Sequence, residues 1–216
     1  MGMYLNPGNS GFTGIRNDIY VDKSGLISLV NETIETPRRL TCVSRPRRFG
    51  KSFAAQMLCA YYDKTCDSAA LFDDLEIAGN EKWNQSYRKH LNQYDVIYLD
   101  ITYVKPFTDH YKNAPAYISR KITEELAAAY PGLEVSDELP ATMVRATELT
   151  GSKFIMIIDE WDAPIREVVG DGAVILTAKE WRMEDILPLW QDSEGWRLCD
   201  QGNSGKKQNV FPPFHG

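Results

Sequence analysis

The chain has 216 residues, of which 43% are hydrophobic and 25% charged, a composition typical of a globular protein with a buried core. The formal net charge of −6 argues against a broad nucleic-acid-binding surface, which usually needs a basic domain. No apolar run approaches the length of a membrane span, and the N-terminus lacks the basic and apolar regions of a signal peptide. We therefore expect a cytoplasmic protein with no membrane partner.

The N-terminal part of the chain is predicted to begin without regular structure. Residues 1–18 are rich in Gly and Asn and are expected to form a loop anchored by Phe12 and Ile15. The elements that follow are a short β-like piece over 19–24, an apolar helix over 24–34 and an apolar strand over 40–43.

The stretch 44–52, with the sequence S-R-P-R-R-F-G-K-S, has the pattern of a phosphate-binding loop between that strand and a helix. Gly50 lets the backbone approach phosphates closely, because it has no Cβ. Lys51 would place a positive charge on the β- and γ-phosphates, and the Ser52 hydroxyl is a ligand for Mg²⁺. The free N–H groups at the start of the helix add a positive dipole end.

One position of this loop departs from the usual pattern, which opens with Gly where this chain has Arg45. The alternative interpretation is a basic surface turn that caps a helix. The residues expected to bind nucleotide are Arg45, Pro46, Arg47, Arg48, Phe49, Gly50, Lys51, Ser52 and Phe53.

Strands alternate with helices in the rest of the chain up to residue 158, which predicts a parallel sheet. The predicted elements are a helix over 53–62, a connector over 71–77, a polar helix over 81–93, a strand over 96–101, a helix over 114–130, a helix over 140–150 and a strand over 154–158. Cys42 is expected in a core strand and Cys59 in a helix. All four cysteines are interpreted as reduced thiols, because none shows C-x-x-C spacing.

Two acids, Asp159 and Glu160, directly follow the most apolar predicted strand. Ligands of open α/β sheets bind beyond the carboxyl ends of the strands, where the loop at 44–52 would also lie. Asp159 would hold Mg²⁺ directly or through water, and Glu160 would activate the attacking water as general base. A solvated strand end is the alternative for the two acids taken alone. Asp100 is a weaker candidate that we interpret as a polar strand end.

The sequence resembles the predicted AAA-ATPase-like family over roughly residues 10–166. The matching stretches are Ile15-Arg16, 20–24, 44–52, Leu71-Phe72 and 158–164. The family loop commonly reads R-P-R-R-F-G-K-S/T, so Arg45 is an ordinary family feature. The family usually has Tyr at the position of Trp161.

The resemblance implies ATP and Mg²⁺ as ligands, with ATP hydrolysis as the activity and Lys51 and Glu160 as catalytic residues. It places the segment 20–23 near the nucleotide base. Longer relatives often carry a nuclease domain of the PD-(D/E)XK type, and a homo-oligomer is left open. Arg47 and Arg48 would contact phosphate or pair with acids around Asp162.

The expected fold is α/β, a P-loop parallel sheet flanked by helices. We predict a P-loop ATPase-like domain over 1–168 and a divergent or truncated tail over 169–216. In this class another strand separates the Asp159 strand from the loop strand, and it would come from residues after 166. Because the chain departs from the family pattern there, the sheet is expected to be incomplete at its C-terminus.

Three hypotheses of function remain at this point. The first is an Mg²⁺-dependent ATPase. The second is a non-catalytic nucleotide-binding switch, or a truncated fragment that binds ATP without turnover. The third is a module that handles nucleic acid through the patch Arg45–Arg48, against which the net acidity argues.

Overall fold

A computed structural model describes residues 2–43, 49–109 and 111–164 of the chain. The helices are α1 (Ser10–Arg16), α2 (Gly25–Asn31), α3 (Lys51–Tyr62), α4 (Ala69–Phe72), α5 (Glu76–Gly79), α6 (Glu81–His90), α7 (Ala114–Ala129) and α8 (Leu139–Thr150). The strands are β1 (Asp95–Asp100) and β2 (Phe154–Asp159), and a 3₁₀ helix over Ile101–Phe107 follows β1. The predicted domain boundary at 168 and the predicted tail lie outside the described residues.

The two strands form a parallel pair in which Asp95 lies opposite Phe154 and Asp100 lies opposite Asp159. The strands predicted over 96–101 and 154–158 are therefore confirmed, together with their parallel arrangement. Their side chains alternate between two apolar clusters, as the two-residue period of a strand requires. Helices cover each face, so the described part of the chain is an α/β structure with a small parallel sheet flanked by helices.

One face of the sheet packs against α3, which contacts both strands. The cluster on this face is rich in aromatic residues, and its fully buried large side chains are Phe12, Ile27, Met57, Tyr61, Tyr62, Phe72 and Ile77. The Tyr61 and Tyr62 rings meet edge to face at 4.7 Å, a geometry that adds to simple area burial. The helix that begins at the candidate phosphate loop is thus fixed firmly to the sheet.

The opposite face packs against α7 and α8. The apolar stripe predicted for 114–130 is confirmed, because Ile118, Ile122 and Leu126 are buried on one side of α7. Each of these side chains contributes about 1.5–3 kcal/mol by its removal from water. Pro115 and Pro140 occupy the first turns of α7 and α8, where a missing N–H leaves no helical hydrogen bond unmade.

The N-terminal segment Tyr4–Asn6 covers the outer edge of β1. Leu5 forms an antiparallel bridge to Ile97, and the Tyr98 amide donates to the Tyr4 carbonyl at 2.8 Å. The Glu125 carboxylate of α7 accepts hydrogen bonds from the backbone amides of residues 3, 4 and 5, at 2.8, 3.0 and 2.7 Å. One side chain thereby ties the segment to a helix and protects the sheet edge.

We expect Glu125→Ala to lower the free energy of unfolding by about 1–3 kcal/mol, because three backbone donors lose a charged acceptor. The measurement is chemical denaturation followed by circular dichroism. Glu124→Ala is the matched control. The Glu124 carboxylate lies on the solvent side of α7, and its ion pairs among the described residues are with Lys121 and Arg120. Equal effects of the two substitutions would contradict the role assigned to Glu125.

Three sequence predictions for the N-terminal part were wrong. Residues 10–16 form a helix because Phe12, fully buried against Phe72, fixes one face of that stretch. Neither 19–24 nor 40–43 is a strand, and Ile19 and Leu40 are 90% and 61% exposed. A strand needs a neighbour for its backbone hydrogen bonds, and no described strand lies beside either segment. Cys42 is accordingly exposed, whereas Cys59 is buried in α3 as expected.

Candidate functional site

The Gly-Lys-Ser triplet lies at the start of α3. Gly50 is left-handed, with φ 72° and ψ 34°, a conformation that residues with a Cβ adopt only at a cost. Lys51 is the first helical residue and is half-buried, while Ser52 and Phe53 are exposed. Phe49, just before the turn, is 60% exposed. The predicted loop-to-helix transition is confirmed at this point, and Arg45, Pro46, Arg47 and Arg48 lie outside the described residues.

The helix carries the triplet on a rigid base. Cys59, on the side of α3 that faces the core, is fully buried. Burial raises the pKa of the Cys59 thiol well above its usual range, with smaller contributions from the Asp63 and Asp159 carboxylates. Burial raises the pKa of the Tyr98 hydroxyl well above its usual range, and the Asp159 carboxylate raises it further. Asp159 therefore lies near this part of the sheet, below α3.

Asp159 is the last residue of β2 and is only 6% exposed. Its Oδ1 accepts a hydrogen bond from the Glu160 amide at 3.0 Å. Its Oδ2 is buried and has no hydrogen-bond partner among the described residues. Because buried polar atoms are nearly always partnered, this oxygen is the unusual atom of the region.

Glu160 follows in a left-handed conformation with φ 52°, which is uncommon for a residue with a Cβ. Its carbonyl accepts a hydrogen bond from the Ala163 amide at 2.9 Å, so the chain turns sharply after the strand. Backbone strain of this kind costs about 1–3 kcal/mol and concentrates at functional sites. Glu160 is half-buried at the same sheet edge as Asp159.

The predicted residues do not all meet directly. Asp159 and Ser52 make no hydrogen bond with each other in the described structure. The Asp159 Oδ1 accepts from the Glu160 amide, and its Oδ2 has no described partner. Asp100 lies opposite Asp159 in the sheet register, but its Oδ1 accepts from the Thr102 amide and hydroxyl at 2.9 and 2.5 Å. Asp100 therefore caps the 3₁₀ helix, consistent with a polar strand end.

The segment 20–24 lies against the phosphate loop and α3. The Tyr20 hydroxyl contacts the Met57 sulfur at 3.4 Å, and the Lys23 ammonium donates to the Phe49 carbonyl at 2.6 Å. Sequence reasoning placed this segment near the nucleotide base and missed the contact of Lys23 with the loop. No local pattern in residues 20–24 signals that contact, because it joins two segments that are distant in sequence.

The residues suit a nucleotide with Mg²⁺. The Asp159 Oδ2 and the Ser52 hydroxyl are oxygen donors of the type that Mg²⁺ takes, and such sites need few protein ligands because phosphates and water complete the shell. Within residues 2–43, 49–109 and 111–164, no group of three or more His, Cys, Asp or Glu side chains gathers to hold a metal alone. In that same part of the chain, no helix combines the length and apolarity needed to cross a membrane.

Comparison with protein families gives one match, to a family model described as "Predicted AAA-ATPase", over residues 8–188. The matched residues include the triplet at α3, the segment 20–24, and Asp159 and Glu160 at the end of β2. Searches of curated proteins and of solved structures gave no match. Because the family model matches most of the chain, the chain belongs to the predicted AAA-ATPase-like family.

Proposed function

We propose that the chain binds ATP at the N-terminus of α3 and hydrolyses it with Mg²⁺. One arrangement carries this proposal. A left-handed Gly50 leads into a helix that begins at Lys51, and that helix packs on the strand that ends in the buried Asp159. Membership of a predicted ATPase family supports the same conclusion.

The binding step uses the start of α3. The Lys51 ammonium would neutralise phosphate charge, and the free N–H groups of the first helical turn would donate to phosphate oxygens. Residues 45–53 form the loop around the phosphates in this proposal. Phe49 and Phe53, whose side chains are exposed, lie on either side of Gly50 in sequence.

Ser52 and Asp159 would hold Mg²⁺. The ion would neutralise charge on the β- and γ-phosphate oxygens when bound. Asp159 is suited to this role because its Oδ2 is buried and lacks a partner in the described part of the chain, so that a cation would satisfy it. The hydrogen bond from the Glu160 amide to Oδ1 fixes the orientation of the carboxylate.

Glu160 would act as the general base. Its carboxylate would accept a proton from the attacking water as the water oxygen bonds to the γ-phosphorus. The bond from that phosphorus to the β,γ-bridging oxygen breaks, and ADP and inorganic phosphate leave. The strained backbone at Glu160 would keep this side chain distinct in direction from that of Asp159, although the two residues are adjacent. One carboxylate could thus face the metal while the other faces the water.

The test is Lys51→Ala in the full chain, with ATP binding measured by calorimetry in the presence of Mg²⁺. Losing a charged contact to phosphate should weaken binding by about 100-fold. Lys82→Ala is the matched control, because it removes an exposed lysine from α6, an element that is not part of the proposed site. Equal ATP affinity in wild type and Lys51→Ala would refute the site. Binding without any hydrolysis in wild type would instead favour a nucleotide-binding switch.

Three further features stay predictions from the sequence. They are a cytoplasmic location, assembly into a homo-oligomer, and a nuclease domain in longer relatives. None of them is needed for the chemistry proposed for this site.

A further inference from the structure

The Lys23 side chain lies directly on the candidate phosphate loop. Its ammonium donates to the Phe49 carbonyl at 2.6 Å. A Cβ built on Gly50 would lie 2.6 Å from the same nitrogen, closer than side-chain contacts allow. The absence of a side chain at Gly50 therefore makes room for the Lys23 ammonium beside the backbone.

The backbone on both sides of Lys23 is anchored. The Asp22 carboxylate accepts hydrogen bonds from the Ser24 and Glu76 amides, at 2.7 and 2.8 Å. The buried Ser24 hydroxyl accepts one from the Ile77 amide at 3.1 Å. These contacts tie the segment to α5, so the fold itself delivers Lys23 to the loop.

No described acid neutralises Lys23. Both oxygens of its neighbour Asp22 are used by backbone amides, and no carboxylate in the described ranges forms an ion pair with the Lys23 ammonium. An ammonium has three donors, and a single hydrogen bond, to Phe49, is found for it among those residues. An exposed cation with donors to spare, placed beside a phosphate loop, suits an anionic ligand.

We propose that Lys23 is a second phosphate-binding residue of this site, one that also holds the loop through the Phe49 carbonyl. This inference rests on the proposed binding of ATP and adds a contact from outside residues 45–53. Its ligand is the phosphate chain of the nucleotide. Lys51 and Lys23 then approach the phosphates from two different segments of the chain.

The experiment compares Lys23→Met and Lys23→Arg with wild type in the full chain. Calorimetry measures the affinities for ATP and for inorganic triphosphate, both with Mg²⁺. We expect Lys23→Met to weaken both ligands by about 10-fold, and Lys23→Arg to stay within about threefold of wild type, because it keeps the charge. Lys82→Met is the control and should change neither affinity. Thermal melting should give the same Tm for all of these variants.

Several outcomes would overturn the inference. Unchanged ATP affinity in Lys23→Met would show that Lys23 does not contact the phosphates. A loss for ATP but not for triphosphate assigns the segment to the base. A lowered Tm in both Lys23 variants makes the residue part of the folded framework only. If Lys51→Ala loses ATP while Lys23→Met does not, the site stands and Lys23 is excluded. If the wild-type chain binds no ATP, the proposed function fails and Lys23 fails with it.

Discussion

Replacing Glu160 by Gln is expected to leave ATP affinity within about threefold of wild type and to lower the rate of hydrolysis by about 100-fold or more. The amide has nearly the same shape as the carboxylate but cannot accept a proton from water. The backbone contacts that orient this turn, from the Glu160 amide to Asp159 and from the Ala163 amide to Glu160, remain possible in the variant. The loss would therefore appear in kcat and not in binding.

The measurement is steady-state phosphate release at saturating ATP, beside a calorimetric titration of the same preparation. Glu134→Gln is the matched control, since it makes the same change on an exposed residue far from the end of β2 in sequence. Asp159→Asn should differ from both, because it removes the charge proposed to hold Mg²⁺ and should weaken ATP binding only when Mg²⁺ is present. Wild-type turnover in Glu160→Gln would eliminate Glu160 as the base.

The second large effect is expected at the other end of the sheet. Asp95, the first residue of β1, is completely buried. Its carboxylate accepts hydrogen bonds from Lys64 at 2.7 Å, from Asn6 at 2.8 Å and from the Tyr130 hydroxyl at 2.5 Å. Asp95→Ala leaves three donors, one of them charged, without their acceptor. We expect the free energy of unfolding to fall by about 3–5 kcal/mol.

Asp100→Ala is the control for Asp95→Ala. It tests whether the loss of unfolding free energy depends on the burial and hydrogen bonds of Asp95, or whether removing any acid from β1 has the same effect. Asp100 is the last residue of the same strand, but it only caps the 3₁₀ helix that follows, so its loss should cost about 1 kcal/mol. Chemical denaturation of both variants gives the comparison. Similar effects at the two positions would contradict the importance of the buried network. The pKa of Tyr130, which burial and then Asp95 raise, should fall in Asp95→Ala.

Much of the candidate site could be predicted from residue types at fixed spacing. Gly50, Lys51 and Ser52 are consecutive, so whatever helix follows them must present them together at its first turn. Asp159 ends an apolar run that has to be a buried strand, which places an acid at the sheet edge. Functional residues that are adjacent in sequence can be predicted without knowing how the segments of the chain pack together.

Contacts between distant segments could not be predicted in the same way. Nothing in the residues 20–24 indicates that they lie on the loop at Phe49, because that contact depends on the Asp22 and Ser24 hydrogen bonds to α5. The apolar stretch 40–43 was predicted to be a strand and is not one. Its composition suits a strand, but pairing is a property of two segments, and no described neighbour pairs with it.

By itself, the sequence determined the α/β class, the two parallel strands, the start of α3 at Gly50-Lys51-Ser52 and the two acids, Asp159 and Glu160, at the end of β2. These follow from local periodicity and from backbone preferences, which act over a few residues. Only the tertiary structure decided that Asp159 keeps a buried oxygen without a described partner and that Lys23 reaches the loop. Burial and long-range hydrogen bonds set these features, and they exist only once the helices have packed on both faces of the sheet.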